Sequence, residues 1–401
     1  MLPTTEEEVW RYSRVDELDL DDFAPVTVAP TGALPAGVQA VLDAVLARAG
    51  VVVVHNGFVV HVELADDVAA RGVRLGVADD LADGEALVGS VSPEPIDVFG
   101  ALNDAHNPQP VVLDVPAGVT VTDPIVIVDW VDADGGAVFP RLVVRAGADA
   151  EVRVLDWHGS TDVVALIAPV VELDCGPAAR LHYLNVQDRG PRVWQTTLQV
   201  SQAGASATVS ADQVALGGDY GRTRADCRLI GRGATGNLRA VYFGENAQML
   251  DFRTFQDHIA PDTTSNLLFK GAVGGTSRSV YTGLIRVGKG ARGTNAFQTN
   301  RNLKLSDGAW AESVPNLEIE NNDVRCSHAS TVGPVDEDQL FYLESRGVPT
   351  GAAERLIVAG FFAEVLEALA VPAIVPLVQA RIIERLDRRD ARRDEETAAD
   401  A

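Results

Sequence analysis

The chain has 401 residues, of which 46% are hydrophobic and 22% are charged, with a formal net charge of −24 and a mean hydropathy of +0.06. These values predict a globular protein of one large domain or two to three smaller ones, and the negative charge argues against nucleic acid and anionic membranes as partners, which need a positive surface. No apolar run is long enough to span a bilayer, the acidic N-terminus differs from a signal peptide, and three widely spaced cysteines favour the reducing cytoplasm.

The first hundred residues predict a mixed α/β region. Pro35–Ala49 has the composition of a helix, with Pro35 suited to its first position. Val51–Leu64 is predicted to form a β-hairpin around Asn56 and Gly57, because Asn-Gly favours the two-residue type I′ turn.

A repeat of about 29 residues organises the segment 101–333. Each period holds two extended runs, many of which alternate apolar and polar residues as half-buried strands do. This pattern predicts a β-solenoid whose equivalent strands stack in parallel, and an antiparallel β-sandwich is the alternative. Glycine is expected at the corners because tight turns need φ values that a Cβ resists. The corners begin at Gly147, Gly176, Gly204, Gly233 and Gly290, with a looser copy at Gly118 and a degenerate one near Asp262.

After Gly333 the apolar period changes to that of a helix. The segment 334–390 is predicted to be a helical domain, with helices over 336–345, 351–369 and 374–388 and a break at Pro372. Residues 391–401 are predicted to be a disordered acidic tail.

Cys326 and His328 are the main candidate site residues. They lie two apart in an extended run and should therefore face the same side. An imidazolium can lower a thiol pKa, and thiolate with imidazole suits iron or an iron–sulfur cluster, although a free strand cysteine is often only a small buried hydrophobe. Two ligands cannot hold a cluster, so another chain must supply the rest. His258 and Asp323 are secondary candidates, and an isolated strand histidine is usually structural.

Two segments resemble the C-terminal signature of the SufB/SufD family of iron–sulfur cluster assembly scaffolds. They are Pro315-Asn-Leu-Glu-Ile-Glu-Asn-Asn-Asp-Val-Arg-Cys-Ser-His-Ala-Ser-Thr-Val-Gly333 and Phe341-Tyr-Leu-Glu-Ser-Arg-Gly347. Weaker likeness extends through Trp10–Ser13, Ala101–His106, Leu216–Arg222 and Asp251–His258. The short length, the segment around Ala101 and the few cysteines are most similar to SufD. Asn322 and Ala329 depart from the family pattern, which has Asp and Gly there.

The resemblance implies a right-handed parallel β-helix and a non-catalytic scaffold subunit of a SufBCD-type complex. Cys326 and His328 would then transiently share iron or a cluster with SufB, in a cytoplasmic heterodimer that docks the ATPase SufC. Four residues of the C-terminal helices are expected at the SufC contact: Leu356, Phe361, Phe362 and Val365. No phosphate-binding loop is present, so we expect the chain itself to bind no nucleotide.

Three alternatives stay open at this point. The chain could be SufB-like rather than SufD-like, and it could form a homodimer when SufB is missing. It could also be a carbohydrate-active β-helix enzyme, although such an enzyme would need carboxylates lining one groove, and the repeats place none at a fixed position.

Overall fold

The structure, a computed structural model, describes the backbone of residues 2–399 and the side chains of residues 2–390. The N-terminal region contains short strands and helices: β1 (Ala24–Pro25), α1 (Ala36–Ala44), β2 (Gly50–His55), β3 (Phe58–Leu64), α2 (Asp66–Ala69), β4 (Arg74–Val77) and α3 (Val98–His106). Helix α1 ends five residues before the predicted end. The predicted hairpin is confirmed, since β2 and β3 pair antiparallel and both Asn56 (φ 51°) and Gly57 (φ 86°) have the left-handed backbone of a type I′ turn.

Eighteen strands follow α3 and form the body of the protein. They are β5 (Val111–Val115), β6 (Ile125–Val131), β7 (Gly136–Val138), β8 (Arg141–Ala146), β9 (Glu151–Ser160), β10 (Ala165–Ile167), β11 (Val170–Cys175), β12 (Arg180–Asp188), β13 (Val193–Ala203), β14 (Thr208–Ala215), β15 (Tyr220–Leu229), β16 (Thr235–Gly244), β17 (Met249–His258), β18 (Thr264–Val273), β19 (Arg278–Val287), β20 (Thr294–Lys304), β21 (Trp310–Ile319) and β22 (Val324–Pro334).

These strands form a parallel β-helix, as predicted. One sheet follows the order β21-β19-β17-β15-β13-β11-β8-β5-β4, and the other follows β22-β20-β18-β16-β14-β12-β9-β6-β2-β3. Each coil gives one strand to each of these paths, and successive coils pair in parallel. The short strands β7 and β10 belong to the first sheet but lie off its path. The alternative sandwich is therefore excluded. Only β3 and β4 pair antiparallel with their neighbours along these two paths, and they lie at the N-terminal end of the two sheets.

The physical reason for the corner glycines differs from the predicted one. At Gly147, Gly176 and Gly204 the backbone is not left-handed; instead a Cβ would lie within 3 Å of the backbone of the preceding coil. The left-handed conformation falls two residues later, as at Asp149 and Ala178 (φ 56° and 58°). Close stacking of coils therefore requires these three glycines. Among the predicted glycine corners that follow Gly118, only Gly233 has the positive φ (71°) that the sequence argument assumed, and the degenerate corner near Asp262 has it at Asp262 (φ 59°).

Three longer helices follow the solenoid: α4 (Glu337–Glu344), α5 (Thr350–Leu366) and α6 (Val375–Ala399), with a 3₁₀ turn at Pro372–Ile374. Helices α1, α5 and α6 pack on the outer face of the ten-stranded sheet in one apolar cluster, to which Val358 and Phe362 contribute from α5 and Val241 and Phe243 from β16. They cover the side of the solenoid rather than its end. The predicted tail 391–401 is helical backbone as far as Ala399; its side chains and last two residues lie outside the described residues.

The N-terminal residues run along the outside of the other sheet. Trp10 is buried between Phe99, at 5.6 Å between ring centroids, and the guanidinium of Arg222, at 4.0 Å from its ring. Farther along, the Tyr12 ring lies 6.3 Å from that of Trp310 on β21. The first residues therefore tie early coils to the last one. None of the described helices has the length and apolarity needed to cross a membrane.

The corner analysis predicts the effect of adding one methyl group. Gly147→Ala should lower the free energy of unfolding by about 1–3 kcal/mol, because its Cβ would lie 2.6 Å from the backbone nitrogen of Ala117. Gly290→Ala is the matched control, since its Cβ would meet nothing nearer than 3.7 Å. Chemical denaturation of both variants measures the difference, and equal stabilities would contradict the stacking explanation.

Candidate functional site

The last coil leaves one unpaired edge on each sheet. Within the described chain, β21 pairs only with β19 and β22 pairs only with β20. Most side chains of β22 are exposed, and apolar Val332, Ile319 and Trp310 are each more than a third exposed on this coil. An exposed strand edge of this kind is a template for pairing with another chain.

Cys326 and His328 lie on β22, at this open end, and share its inner face. Cys326 is half-buried and packs against Ile285, Val287 and Ala296. The ladder places Cys326 beside Ala296 and His328 beside Gln298 on β20. His328 is exposed because no further coil covers it. The structure thus brings the predicted thiol and imidazole to one face of an open edge strand.

The local electrostatics of Cys326 differ from the expectation. Partial burial raises the pKa of the Cys326 thiol, and His328 does not lower it. The isolated chain therefore holds this cysteine as a thiol at neutral pH. A thiolate here needs an additional positive charge, from a metal ion or from a partner.

Asp323 and Asn322 belong to the turn that leads into β22. The side chain of Asn321 accepts a hydrogen bond from the backbone N–H of Asp323 at 2.9 Å and donates one to the carbonyl of Lys289 at 2.8 Å. The carbonyl of Asp323 accepts from Gly293 N–H in the coil before. The side chains of Asn322 and Asp323 are exposed. Ala329 lies in regular strand beside Thr299, so the backbone after His328 needs no glycine.

His258 lies two coils before this end and is fully buried. Its Nδ1 lies 2.7 Å from the Thr263 hydroxyl and its Nε2 lies 2.9 Å from the Ser265 hydroxyl, so both ring nitrogens are engaged. Val287 and then Ile319 follow it in the ladder toward the open end. Burial lowers the pKa of His258 to about 4, which keeps the ring neutral. These contacts fit a structural histidine.

The other two cysteines line the apolar interior. Burial raises the pKa of Cys175 to about 12 and that of Cys227 to about 11, so both are thiols and pack as small hydrophobes. No group of three or more His, Cys, Asp or Glu side chains within the described residues is placed to hold a metal ion.

The polar residues beneath His328 were not singled out from the sequence. Gln298, Asn300 and Asn302 lie on the inner face of β20, and all three are almost completely buried. They recur at every second position, which on its own indicates a solvent-facing stripe. The signal that could have found them is their register in the repeat, which aligns Asn300 with the buried Gln213 and Asn185 of earlier coils and Asn302 with the buried Gln187.

Two of the four predicted docking residues are not on the surface. Phe362 and Val365 are fully buried against the ten-stranded sheet. They expose no surface that a partner could contact, so we no longer include them among the docking residues. Leu356 is 57% exposed, and Phe361 is half-buried. Both line an open groove of about 560 Å³, together with Leu303, Pro334, Leu343 and Ile357.

Comparison with known proteins identifies the family. The family model for the SufBD core domain of the SUF system of FeS cluster assembly matches residues 130–361. An iron–sulfur cluster assembly SufBD family protein of Mycobacterium tuberculosis is 37% identical over 281 residues, which is 68% of each chain. The chain belongs to the SufBD family.

Within the family, the chain is SufD-like. The iron–sulfur cluster assembly protein SufD of Escherichia coli is 26% identical over 390 residues, covering 96% of this chain and 89% of that one. A SufBD family protein of Synechocystis is 27% identical over 71% of this chain and 62% of its own length. The SufBD assignment replaces the alternative of a carbohydrate-active β-helix enzyme.

The depressed pKa of His258 makes stability depend on pH. Because the folded-state pKa is about 4 and an unfolded histidine titrates near 6.5, this histidine costs no stability above about pH 6.5 and destabilises the fold as the pH falls toward 4. At about pH 5 the loss should be about 2 kcal/mol. His258→Gln should remove this contribution to the pH dependence of the free energy of unfolding.

Denaturation curves at about pH 7.5 and pH 5 measure the difference. The comparison uses the change between the two pH values within each protein, so a constant destabilisation by the substitution cancels. Equal pH slopes in the wild type and the variant would show that His258 takes up its proton as readily in the folded as in the unfolded state.

Proposed function

We propose that this chain is a non-catalytic, SufD-like scaffold subunit that pairs with a SufB-like chain to assemble iron–sulfur clusters in the cytoplasm. The observation that carries the proposal is the placement of Cys326 and His328 on one face of the unpaired edge strand β22. Iron or a nascent cluster is the cargo here, not a resident cofactor. Two ligands are a half-site, and a second chain at this edge would supply the others.

Strand pairing is the proposed mode of association. Strand β22 has an N–H at every position from Val324 to Gly333, whereas Pro315 interrupts the other edge strand, β21. An added strand beside β22 would therefore form the longer ladder. It would also cover His328 and the exposed Val332. Without SufB, the same edge can pair with a second copy of the chain.

The site also gives the partner a chemical role. The pKa of Cys326 is raised by burial in the single chain. A cationic or metal-bearing partner surface at this edge would lower that pKa and create the thiolate that binds iron. Assembly would thereby favour metal binding, because the second chain would help to form the thiolate that binds iron.

His328→Ala should lower the iron content of the complex co-expressed with SufB and SufC about tenfold, without changing its assembly or melting temperature. The side chain is exposed and makes no packing contribution to the core, so the loss should be specific to metal binding. His61→Ala is the control, because His61 is also largely exposed but lies on β3 at the opposite end. Normal iron content in His328→Ala, measured under anaerobic reconstitution, would refute the half-site.

We propose in addition that a SufC-like ATPase docks in the groove between α4 and α5. The groove is apolar, with Leu356, Ile357 and Phe361 on one wall and Leu343 on the other. Tyr342, next to Leu343 on α4, is also exposed. An exposed apolar patch of this kind marks an interaction site. The chain contributes no nucleotide site of its own to this arrangement.

Leu356→Asp should weaken SufC capture about tenfold, which corresponds to about 1.4 kcal/mol for an apolar contact at the centre of an interface. Ile383→Asp is the matched control, because Ile383 is a similarly exposed apolar residue on α6, outside the groove. Deleting the helices would be uninformative, since it would uncover the outer face of the sheet. Equal capture by both variants would reject the groove.

A further inference from the structure

Three amides follow one another on the inner face of β20, and one of them differs from the other two. Asn302 Nδ2 donates to Asn300 Oδ1 at 2.9 Å, Asn300 Nδ2 donates to the Tyr242 hydroxyl at 3.0 Å, and that hydroxyl donates to Asn302 Oδ1 at 2.6 Å. Gln298 is only 2% exposed, yet neither its Nε2 nor its Oε1 has a hydrogen-bond partner among the described residues. A buried amide without partners is costly and calls for an explanation.

The fold makes room for this side chain. A Cβ on Gly283, in the facing sheet, would lie 2.4 Å from Gln298 Nε2 and 2.3 Å from the Tyr281 hydroxyl. Gln298 therefore extends across the interior of the solenoid, and glycine at 283 is what allows it to do so. The amide is placed in the interior immediately below the last coil.

His328 is the ladder neighbour of Gln298 on that last coil. Adjacent strands lie about 4.8 Å apart, and side chains at paired positions of a parallel sheet project from the same face. The next paired positions along the ladder are Asn300 with Ser330 and Asn302 with Val332. Of the β22 residues above the three amides, only His328 has a ring N–H, and the one unpartnered amide lies beside it.

We infer that Gln298 is a positioning residue for His328. The two side chains are not hydrogen-bonded to each other in this structure, but rotation of the exposed ring lets Gln298 Oε1 accept a hydrogen bond from one ring N–H. That bond leaves the lone pair of the other ring nitrogen free at the open end. A metal-binding histidine is generally held in one tautomer by a hydrogen bond to its second nitrogen. The inference rests on the proposed role of His328 in binding iron, and it names the group that prepares this ring before any partner arrives.

The tautomer of His328 can be measured without iron. In the full-length chain with ¹⁵N-labelled histidine, the ring shifts of His328, assigned by comparison with His328→Ala, should show one dominant tautomer. Gln298→Met removes the acceptor at nearly constant shape and should move both ring nitrogens toward the shifts of a free imidazole. Replacing an unpartnered buried amide by an apolar side chain of similar size should leave the melting temperature nearly unchanged.

Gln256→Met is the matched control. Gln256 is 1% exposed and also lacks a partner for both amide atoms, but it lies on β17 with Ile285 and Leu317 following it toward the end. This variant should leave the His328 shifts unchanged. An even mixture of tautomers in the wild type, or identical shifts in Gln298→Met, would overturn the inference, and the first of these results requires no variant at all.

Iron loading separates this inference from the proposed function. In the co-expressed complex, Gln298→Met should bind about tenfold less iron, as expected when the group that orients a ligand is lost. Gln298→Glu retains an acceptor oxygen at the same length and should restore the single tautomer. If His328→Ala binds iron normally, the proposed half-site fails whatever Gln298 does. If His328→Ala loses iron while Gln298→Met retains both iron and the wild-type tautomer, only the positioning role fails.

Discussion

The pairing of backbone N–H and C=O groups from coil to coil is the constraint on which this structure depends. In a parallel solenoid each coil satisfies the next, so the last coil must leave an edge unless something closes it. At the N-terminal end the two sheets end in β3 and β4, which pair antiparallel with their neighbours. At the C-terminal end the described chain ends the two sheets with β21 and β22, whose outer edges are open to a further parallel strand. The candidate site residues lie at this end.

Much of the fold could be predicted from local sequence patterns. Asn56-Gly57 specified a turn, and two alternating runs per repeat specified two parallel sheets. The role of Gly147 could not be derived in the same way, because it depends on the distance to the next coil rather than on its own φ. Periodicity alone also could not say which side of α5 faces the sheet. Phe362 and Leu356 both fit an apolar helix, and only packing on the outer face of the sheet separates the buried residue from the exposed one.

The candidate site was predictable in part for a similar reason. Alternation in a strand placed Cys326 and His328 on one face, and the structure has them there. The same rule applied to Gln298, Asn300 and Asn302 would have given a solvated stripe. They are buried instead, because their register places them on the inner face of the solenoid, where earlier coils also bury polar residues such as Asp156, Asn185 and Gln213. That register is a property of the stacked coils, and it cannot be seen in one strand.

The helices on the side of the solenoid are in contact with the strands near its open end. Helix α5 is fixed to β18 by Lys270, whose ammonium donates to the carbonyl of Phe361 at 2.9 Å and pairs with Glu364 at 2.6 Å. The groove beside Phe361 is completed by Leu303 of β20 and Pro334 of β22. These are the two strands that carry Gln298 and His328 on their inner faces. A partner bound in the groove would therefore contact the two strands that carry the amide and the imidazole.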